Sequence, residues 1–373
     1  MFNDLDHQYM TLALSLAQKG LWTTTPNPRV GCVIVKDRQV VGEGWHMRAG
    51  QAHAEVMALE AAGPLARGAT VYVTLEPCSH QGRTPPCAQA LVRAQVGKVV
   101  AAMQDPNPQV SGRGLGRLRE AGIEVRCGLL EAQARELNIG FVSRMTRGRP
   151  WVRAKIAASL DAVTALADGS SQWITGEAAR QDGHHWRARA CAILTGFGTV
   201  RDDNPQLTVR HANTERQPLR VVVDSRLETP RDAQVLADSN VLLVHAVDPG
   251  SRAGVLRDAG AQLLCLPNQA GKVDLAALLT ELGSRGINEL HCEAGYKLNG
   301  SLLREDCIDE WLIYLAPCFL GQGAGLANIA AVPSLDARQQ FEFHSVDQIG
   351  ADIRLLARRP VAQSSDTPIE ALS

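Results

Sequence analysis

Aromatic residues are scarce in this chain, at 4% of 373 residues, and charge is almost balanced, with 38 Lys and Arg against 39 Asp and Glu. Few aromatics leave few stacking platforms for single-stranded nucleic acid, and a formal net charge of -1 gives no broad attraction for polyanions or anionic membranes. No run of about 18 apolar residues is present, so no membrane span is expected. The opening residues, Met1-Phe2-Asn3-Asp4-Leu5-Asp6, lack the basic and apolar regions of a signal peptide. The nine cysteines are odd in number and scattered, which speaks against a disulfide framework and for a reducing cytoplasm. No internal repeat is present.

At roughly 100–200 residues per domain, the chain is expected to hold two domains, each long enough to bury a core. Apolar periodicity predicts helices over 4–18, 54–62, 87–94 and 114–121, interleaved with strands over 30–35, 40–43, 70–74, 98–103 and 124–126. Gly63-Pro64 stops the second helix and Pro85-Pro86 precedes the third. This is an α/β layout around one mixed sheet. A basic, turn-forming stretch over 144–150 marks a boundary. A second α/β domain restarts with a strand over 151–156. Further strands are expected over 192–195, 220–224, 241–245, 289–293 and 310–316, with helices over 177–189 and 275–284. The expected division is 1–147 and 148–360, followed by a frayed polar tail over 361–373.

His53-Ala54-Glu55, then Pro77-Cys78, then Cys87 form the densest chemical signal. One imidazole and two thiolates suit tetrahedral Zn²⁺, and three protein ligands leave the fourth position for water, as in catalytic sites. Glu55 stands two residues past His53 at a helix start, so it reaches that water without being a ligand. The ordered set is the pattern of zinc-dependent base deaminases, in which the Glu carries protons. Cys78 and Cys87 are separated by eight residues rather than two, and the loop places His80, Arg83 and Thr84 where a phosphorylated or polar substrate would meet them. An isolated His-x-Glu is more often a surface histidine beside a solvated carboxylate, and His80 offers a fourth ligand for a purely structural zinc. The complete set, with Glu55, favours catalysis.

The run Thr74-Leu75-Glu76-Pro77-Cys78-Ser79-His80-Gln81-Gly82-Arg83-Thr84-Pro85-Pro86-Cys87 resembles the signature of the bifunctional riboflavin-biosynthesis deaminase/reductase family, the RibD family. Pro26-Asn27-Pro28-Arg29-Val30-Gly31 and Asp105-Pro106-Asn107-Pro108 are similar to it as well. The resemblance extends over nearly the whole chain. It implies an N-terminal cytidine-deaminase-like α/β/α domain followed by a dihydrofolate-reductase-like α/β domain. It implies hydrolytic deamination of 2,5-diamino-6-ribosylamino-4(3H)-pyrimidinone 5′-phosphate, then NADPH-dependent reduction of the ribosyl group to give 5-amino-6-(5-phosphoribitylamino)uracil. On this resemblance His53, Cys78 and Cys87 bind one zinc per chain, Glu55 shuttles protons and Asn27 orients the pyrimidine. The alternative for Asn27 is a plain turn residue between two prolines.

The second half has no G-x-G-x-x-G after its first strand, so a Rossmann fingerprint is absent. Instead Gly196-Phe197-Gly198-Thr199, Asp224-Ser225-Arg226 and Glu293-Ala294-Gly295 follow expected strands, where open α/β sheets bind ligands. Lys155-Ile156-Ala157-Ala158-Ser159-Leu160-Asp161, Ser171-Gln172-Trp173-Ile174-Thr175 and the run from Thr199 to Arg210 resemble the family too. By that resemblance Ala157, Trp173, Thr199, Asp203, Ser225 and Gly295 hold NADPH, while Ser171, Arg187, Leu207, Arg210 and Glu293 hold the substrate. Arg187 and Arg210 suit a phosphate, because guanidinium binds it bidentately. Ser225-Arg226 is expected to meet the adenosine 2′-phosphate, although Asp224 suits a ribose 2′-hydroxyl and hence NADH. Two positions depart from the family. Ala162 stands where Gly is usual after Ser-Leu-Asp, a strain if the turn needs positive φ. Tyr296-Lys297 stands where a small residue or proline is commoner.

Two other readings stay open. One is a nucleic-acid or nucleoside base deaminase with an unrelated appended domain, which the charge balance and few aromatics count against. The other is a zinc-stabilised binding or regulatory protein, which Glu55 counts against. The expected partner is a small phosphorylated pyrimidine in the cytoplasm, with no nucleic acid and no membrane. Homo-oligomerisation is left open.

Overall fold

The protein is seen here as a computed structural model that describes residues 2–79, 86–108, 110–214, 216–248 and 250–360. His80, Arg83, Thr84 and the tail over 361–373 lie outside the described residues. Among the described residues no helix is long and apolar enough to cross a membrane. Contacts group the chain into two compact units. One is Met1–Val152 with Gly183–Cys292; the other is Arg153–Asp182 with the described residues from Glu293 onward. One break falls between Val152 and Arg153, and Gly183–Cys292 groups with the first unit.

The first unit opens with α1 (Asp4–Gln18), whose start is written in its first residues. The Asn3 side chain accepts from the Asp6 N–H at 2.9 Å, and the Asp6 carboxylate accepts from the Asn3 N–H at 3.0 Å, a reciprocal cap that satisfies two orphan donors. Next come β1 (Gly31–Lys36), β2 (Gln39–Trp45), α2 (Ala54–Ala62), β3 (Thr70–Val73), α3 (Cys87–Arg93), β4 (Lys98–Ala101), α4 (Arg113–Glu120), β5 (Glu124–Cys127), α5 (Glu131–Leu137) and α6 (Ile139–Arg147). The sheet has the order β2-β1-β3-β4-β5, with β1 antiparallel to both neighbours and β3, β4 and β5 parallel.

The packing of α2 on this sheet positions the site. Its Ala54, Ala58 and Ala62 are buried and face β2, which carries Gly42 and Gly44. A Cβ at Gly44 would stand 2.3 Å from the Ala54 carbonyl oxygen, so only glycine allows this approach. The small-on-small contact fixes the N-terminus of α2, and with it His53 and Glu55.

In chain order the remaining elements are β6 (Trp151–Ser159), β7 (Ala165–Leu166), α7 (Glu177–Arg189), β8 (Ala192–Gly196), α8 (Phe197–Asp203), β9 (Leu219–Val223), β10 (Val241–His245), α9 (Arg252–Asp258), β11 (Ala261–Cys265), α10 (Leu275–Ser284), β12 (Glu289–Cys292), α11 (Tyr296–Arg304), β13 (Glu310–Ala316), β14 (Gly323–Ala324), β15 (Glu342–Ile349) and β16 (Asp352–Arg358). Within the first unit β11-β10-β9-β8-β12 run parallel. Their buried Val and Leu runs suit strands covered on both faces. In the second unit β6 pairs with β13 in parallel, and β13-β16-β15 continue antiparallel. There Glu310 stands opposite both Arg153 and Arg358 in register, and its buried carboxylate accepts from both guanidinium groups.

Candidate active sites

His53 is the residue before the first turn of α2, Glu55 lies in that turn, Cys78 follows β3 in a loop and Cys87 starts α3. The Nδ1 of His53 is 3.2 Å from the Cys87 Sγ and 3.6 Å from the Cys78 Sγ, and the three donor atoms lie within 4.8 Å of one another. Zinc bonds of about 2.0–2.1 Å to nitrogen and about 2.3 Å to sulfur put tetrahedral N···S edges at about 3.6 Å, so the trio fits zinc. Among the described residues it is the group of His, Cys, Asp and Glu side chains that could hold a metal.

The electrostatics agree with a cation there. The hydrogen bond from Cys87 favours a Cys78 thiolate, and that bond, with burial, pushes the Cys87 thiol up. The pair thus keeps a proton that a divalent cation would displace. A hydrogen bond with Cys78 raises His53. Burial, reinforced by the negative Cys78, pushes the Glu55 carboxyl up to about 7. A buried carboxyl at that value can both hold and release a proton near neutral pH. A cation in the cluster would pull it lower.

Two supports were missed by sequence reasoning. Glu76 is buried, and its carboxylate accepts four backbone N–H groups, from Asp105 (3.0 Å), Gly112 (2.9 Å), Gly114 (2.8 Å) and Leu115 (3.2 Å). It thereby ties the Pro77-Cys78 segment to the start of α4 and to the Asp105-Pro106-Asn107-Pro108 loop. Gly114 is required there, since a Cβ would meet the Pro77 carbonyl oxygen at 1.9 Å. Arg117 of α4 donates to the Ser79 carbonyl on the other side of Cys78. The second support is His46. Its Nδ1 faces the Ala52 carbonyl at 3.1 Å, so that nitrogen carries the proton and Nε2 accepts from the Asn27 amide at 3.0 Å. Burial pushes His46 down and keeps it neutral. Its ring packs edge-on against His53 with centroids 5.3 Å apart, so Asn27 is linked to the metal cluster through one imidazole.

The residues assigned to the second activity divide between the units. In the first unit β8 and β9 pair so that Gly196 is opposite Val223. The segments after them, α8 with Thr199 and the turn with Ser225, are therefore neighbours at the carboxyl ends of parallel strands. Asp203 ends α8, and burial raises its carboxyl. Asp224 is buried and its carboxylate is consumed by its own turn, accepting from the Glu228 and Thr229 N–H groups and the Thr229 hydroxyl. That removes Asp224 as a partner for a ribose hydroxyl and leaves exposed Arg226 beside Ser225, which fits a 2′-phosphate. Arg187 and Arg210 converge on Thr208, one donating to its carbonyl at 3.0 Å and the other to its hydroxyl at 3.3 Å. Leu207 beside them has φ +54° and buries its side chain in the core.

In the second unit Ala157 lies on β6 opposite Tyr314, and Ser171 is half-buried. Trp173 is 71% exposed with the Arg180 guanidinium 4.9 Å over its ring. Glu293 and Gly295 occupy the turn before α11, where Gly295 is the capping residue. Ala162 adopts φ +62°, the conformation that made glycine the expected residue. The turn is held by Asp161, which accepts from the N–H groups of Leu320 and Gly321 and from the Ser159 hydroxyl.

Comparison with known proteins follows both halves. The family model for the RibD C-terminal domain matches residues 150–355, and that for the cytidine and deoxycytidylate deaminase zinc-binding region matches residues 3–103. The riboflavin biosynthesis protein RibD of Escherichia coli (strain K12) is 47% identical over 360 residues, covering 94% of this chain and 98% of that protein. That of Aquifex aeolicus (strain VF5) is 41% identical over 360 residues, covering 96% and 100%. Among solved structures, Acinetobacter baumannii RibD (form 1) matches with a TM-score of 0.89 at 45% identity, covering 96% of this chain and 99% of that one. A diaminohydroxyphosphoribosylaminopyrimidine deaminase/5-amino-6-(5-phosphoribosylamino)uracil reductase from Thermotoga maritima matches with a TM-score of 0.85 at 32% identity, covering 95% and 99%.

Proposed function

The chain belongs to the RibD family of bifunctional riboflavin-biosynthesis enzymes, and from that premise we propose that residues 1–147 deaminate 2,5-diamino-6-ribosylamino-4(3H)-pyrimidinone 5′-phosphate and that residues 148–360 reduce the product. It pairs a zinc-binding deaminase domain with an NADPH-dependent reductase domain. The reading of the first site rests on one observation: His53, Cys78 and Cys87 converge beside a buried Glu55.

Zinc held by His53, Cys78 and Cys87 supplies the Lewis acidity that makes water nucleophilic near neutral pH. Glu55 takes a proton from the attacking water and passes it to the ring nitrogen next to the carbon bearing the amino group. It then takes the remaining hydroxyl proton from that carbon, which becomes a carbonyl, and passes it to the leaving amine, so that water enters and ammonia departs. Asn27, fixed by His46, orients the pyrimidine. In the second reaction bound NADPH supplies a hydride. Within the first unit Thr199, Asp203 and Ser225 are read as cofactor contacts; within the second, Ala157, Trp173 and Gly295 are read the same way. Arg187 and Arg210, with Leu207, are read as the substrate-phosphate contacts of the first unit, and Ser171 and Glu293 as the substrate contacts of the second.

Ammonia release separates this reading from its rivals. The zinc-loaded chain is expected to deaminate the diaminopyrimidine phosphate and to leave cytidine and tRNA untouched. Preference for cytidine or tRNA would transfer the site to a base deaminase, and no release from any of the three would leave a non-catalytic zinc protein.

A further inference from the structure

We infer that a buried ion cluster, Arg29–Glu289–Arg189, is a positioning device through which β12, a strand of the reductase half, sets the pyrimidine-contact turn Pro26-Asn27-Pro28 of the deaminase. The inference rests on the role given to Asn27 above. Arg29 and Glu289 stand 260 residues apart in the chain, yet the Nη1 of Arg29 donates to the Glu289 Oε1 at 2.7 Å. The other Glu289 oxygen accepts from the Arg189 Nε at 2.7 Å. The side chains of Arg29 and Glu289 are 9% and 1% exposed. The carbonyls of Leu137 (2.7 Å) and Leu21 (3.2 Å) take further Arg29 donors, and the Asn138 side chain grips the Arg29 backbone through both its N–H and its carbonyl.

The residue before Glu289 completes a second clamp. Asn288 donates to the Pro26 carbonyl at 3.0 Å, and Arg144 donates to that carbonyl at 3.2 Å and to the Asn288 side chain at 2.5 Å. Asn288, just before β12, and Glu289, the first residue of β12, thus hold both ends of the turn, Pro26 and Arg29. Asn27 lies between them and reaches the metal cluster through His46. The approach is close enough that a Cβ at Gly140 of α6 would stand 2.4 Å from the Glu289 Cγ.

Stability alone does not account for such a cluster. Replacing a buried ion pair by apolar side chains of similar volume is often neutral or stabilising, because desolvation offsets the attraction. What two guanidinium groups on one carboxylate provide that apolar contact does not is direction: short, charge-assisted hydrogen bonds in a fixed plane. Here that direction fixes the turn carrying Asn27.

The test uses the full-length, zinc-loaded chain and follows ammonia release from the diaminopyrimidine phosphate. Three variants are compared with the wild type: Glu289→Gln, Asn288→Ala, and the triple Arg29→Met/Arg189→Met/Glu289→Leu. The triple variant removes the charge at all three positions of the cluster and is expected to fold at least as stably as the wild type. In Glu289→Gln and the triple variant KM is expected to rise about tenfold, the worth of roughly one oriented hydrogen bond, with kcat within about threefold and zinc retained. Asn288→Ala, which leaves the ion cluster intact, is expected to give a smaller rise. Hydrogen exchange over residues 24–30 should quicken in each variant while β4 is unchanged. A folded, zinc-loaded Glu289→Gln or triple variant with KM within about twofold of wild type would overturn the inference. So would loss of zinc or of kcat in place of KM, since the cluster would then support the metal ligands. A wild-type chain that releases no ammonia from this substrate would overturn the functional reading instead, and exchange over 24–30 would still decide whether β12 sets the turn.

Discussion

Glu55→Gln keeps the shape of the side chain and removes its ability to carry a proton. Deamination is expected to fall by about 10²–10⁴-fold in kcat while elemental analysis still finds one zinc per chain. Cys78→Ser is expected to fail in the opposite order, losing metal first, because a hydroxyl is a poor replacement for a soft thiolate. Equal zinc loss in both variants would make Glu55 a ligand. Ala162 offers a second single-residue test. A Cβ at φ +62° is strained, so Ala162→Gly is expected to raise stability by about 0.5–1 kcal/mol in denaturant unfolding, the relief outweighing the entropy of glycine. Unchanged or lower stability would show that the turn accommodates alanine without strain. At this scale the sequence was informative where chemistry depends on residue type and short spacing, as with His53, Glu55, Cys78 and Cys87. It was silent on His46 and Glu76, which matter only because folding brings Asn27 to one and the start of α4 to the other.

Glu76 joins one metal-ligand loop to α4, so its effect belongs to elements. Glu76→Gln turns an acceptor of four N–H groups into one that must aim an amide at some of them. A loss of about 2–3 kcal/mol is expected, with faster zinc release to a chelator. Unchanged chelation kinetics would mean that the loop holds its shape without this carboxylate. In the second unit, burial by itself raises the Glu310 carboxyl, but Arg153 and Arg358 outweigh it and hold the group below its usual 4.5. A depressed carboxylate stabilises fully above the unfolded-state value, and that contribution is lost as pH falls through the lower folded value. Thermal stability is therefore expected to drop below a pH of about 4.5, and Glu310→Gln to flatten that slope; an unaltered slope would place the acid sensitivity elsewhere. Elements with a written start or stop were legible: helices expected over 4–18 and 54–62 match α1 and α2. The β15–β16 hairpin was not, because the apolar residues of β15, Phe343, Val346 and Ile349, recur every third position instead of every second, and its half-buried face carries Ser345 and Asp347. The stretch over 144–150 includes the end of α6, and its Arg144 bonds to Asn288.

For the whole molecule, two activities in one chain make a joint observable. The α/β character of both halves and the nature of both reactions were readable from local motifs. The joining of Met1–Val152 to Gly183–Cys292 was not, since it depends on pairs such as Arg29 and Glu289 that lie 260 residues apart. The central claim is that Glu55 at the His53–Cys78–Cys87 cluster makes the substrate that the reductase half consumes. The most direct measurement follows ammonia and NADPH together in the full-length, zinc-loaded chain, given the diaminopyrimidine phosphate or its deaminated product. In the wild type, ammonia release is expected to precede NADPH oxidation and to match it mole for mole. Glu55→Gln is expected to do neither with the first substrate and to oxidise NADPH at the wild-type rate with the second. NADPH oxidation by Glu55→Gln on the undeaminated substrate at the wild-type rate would contradict the account.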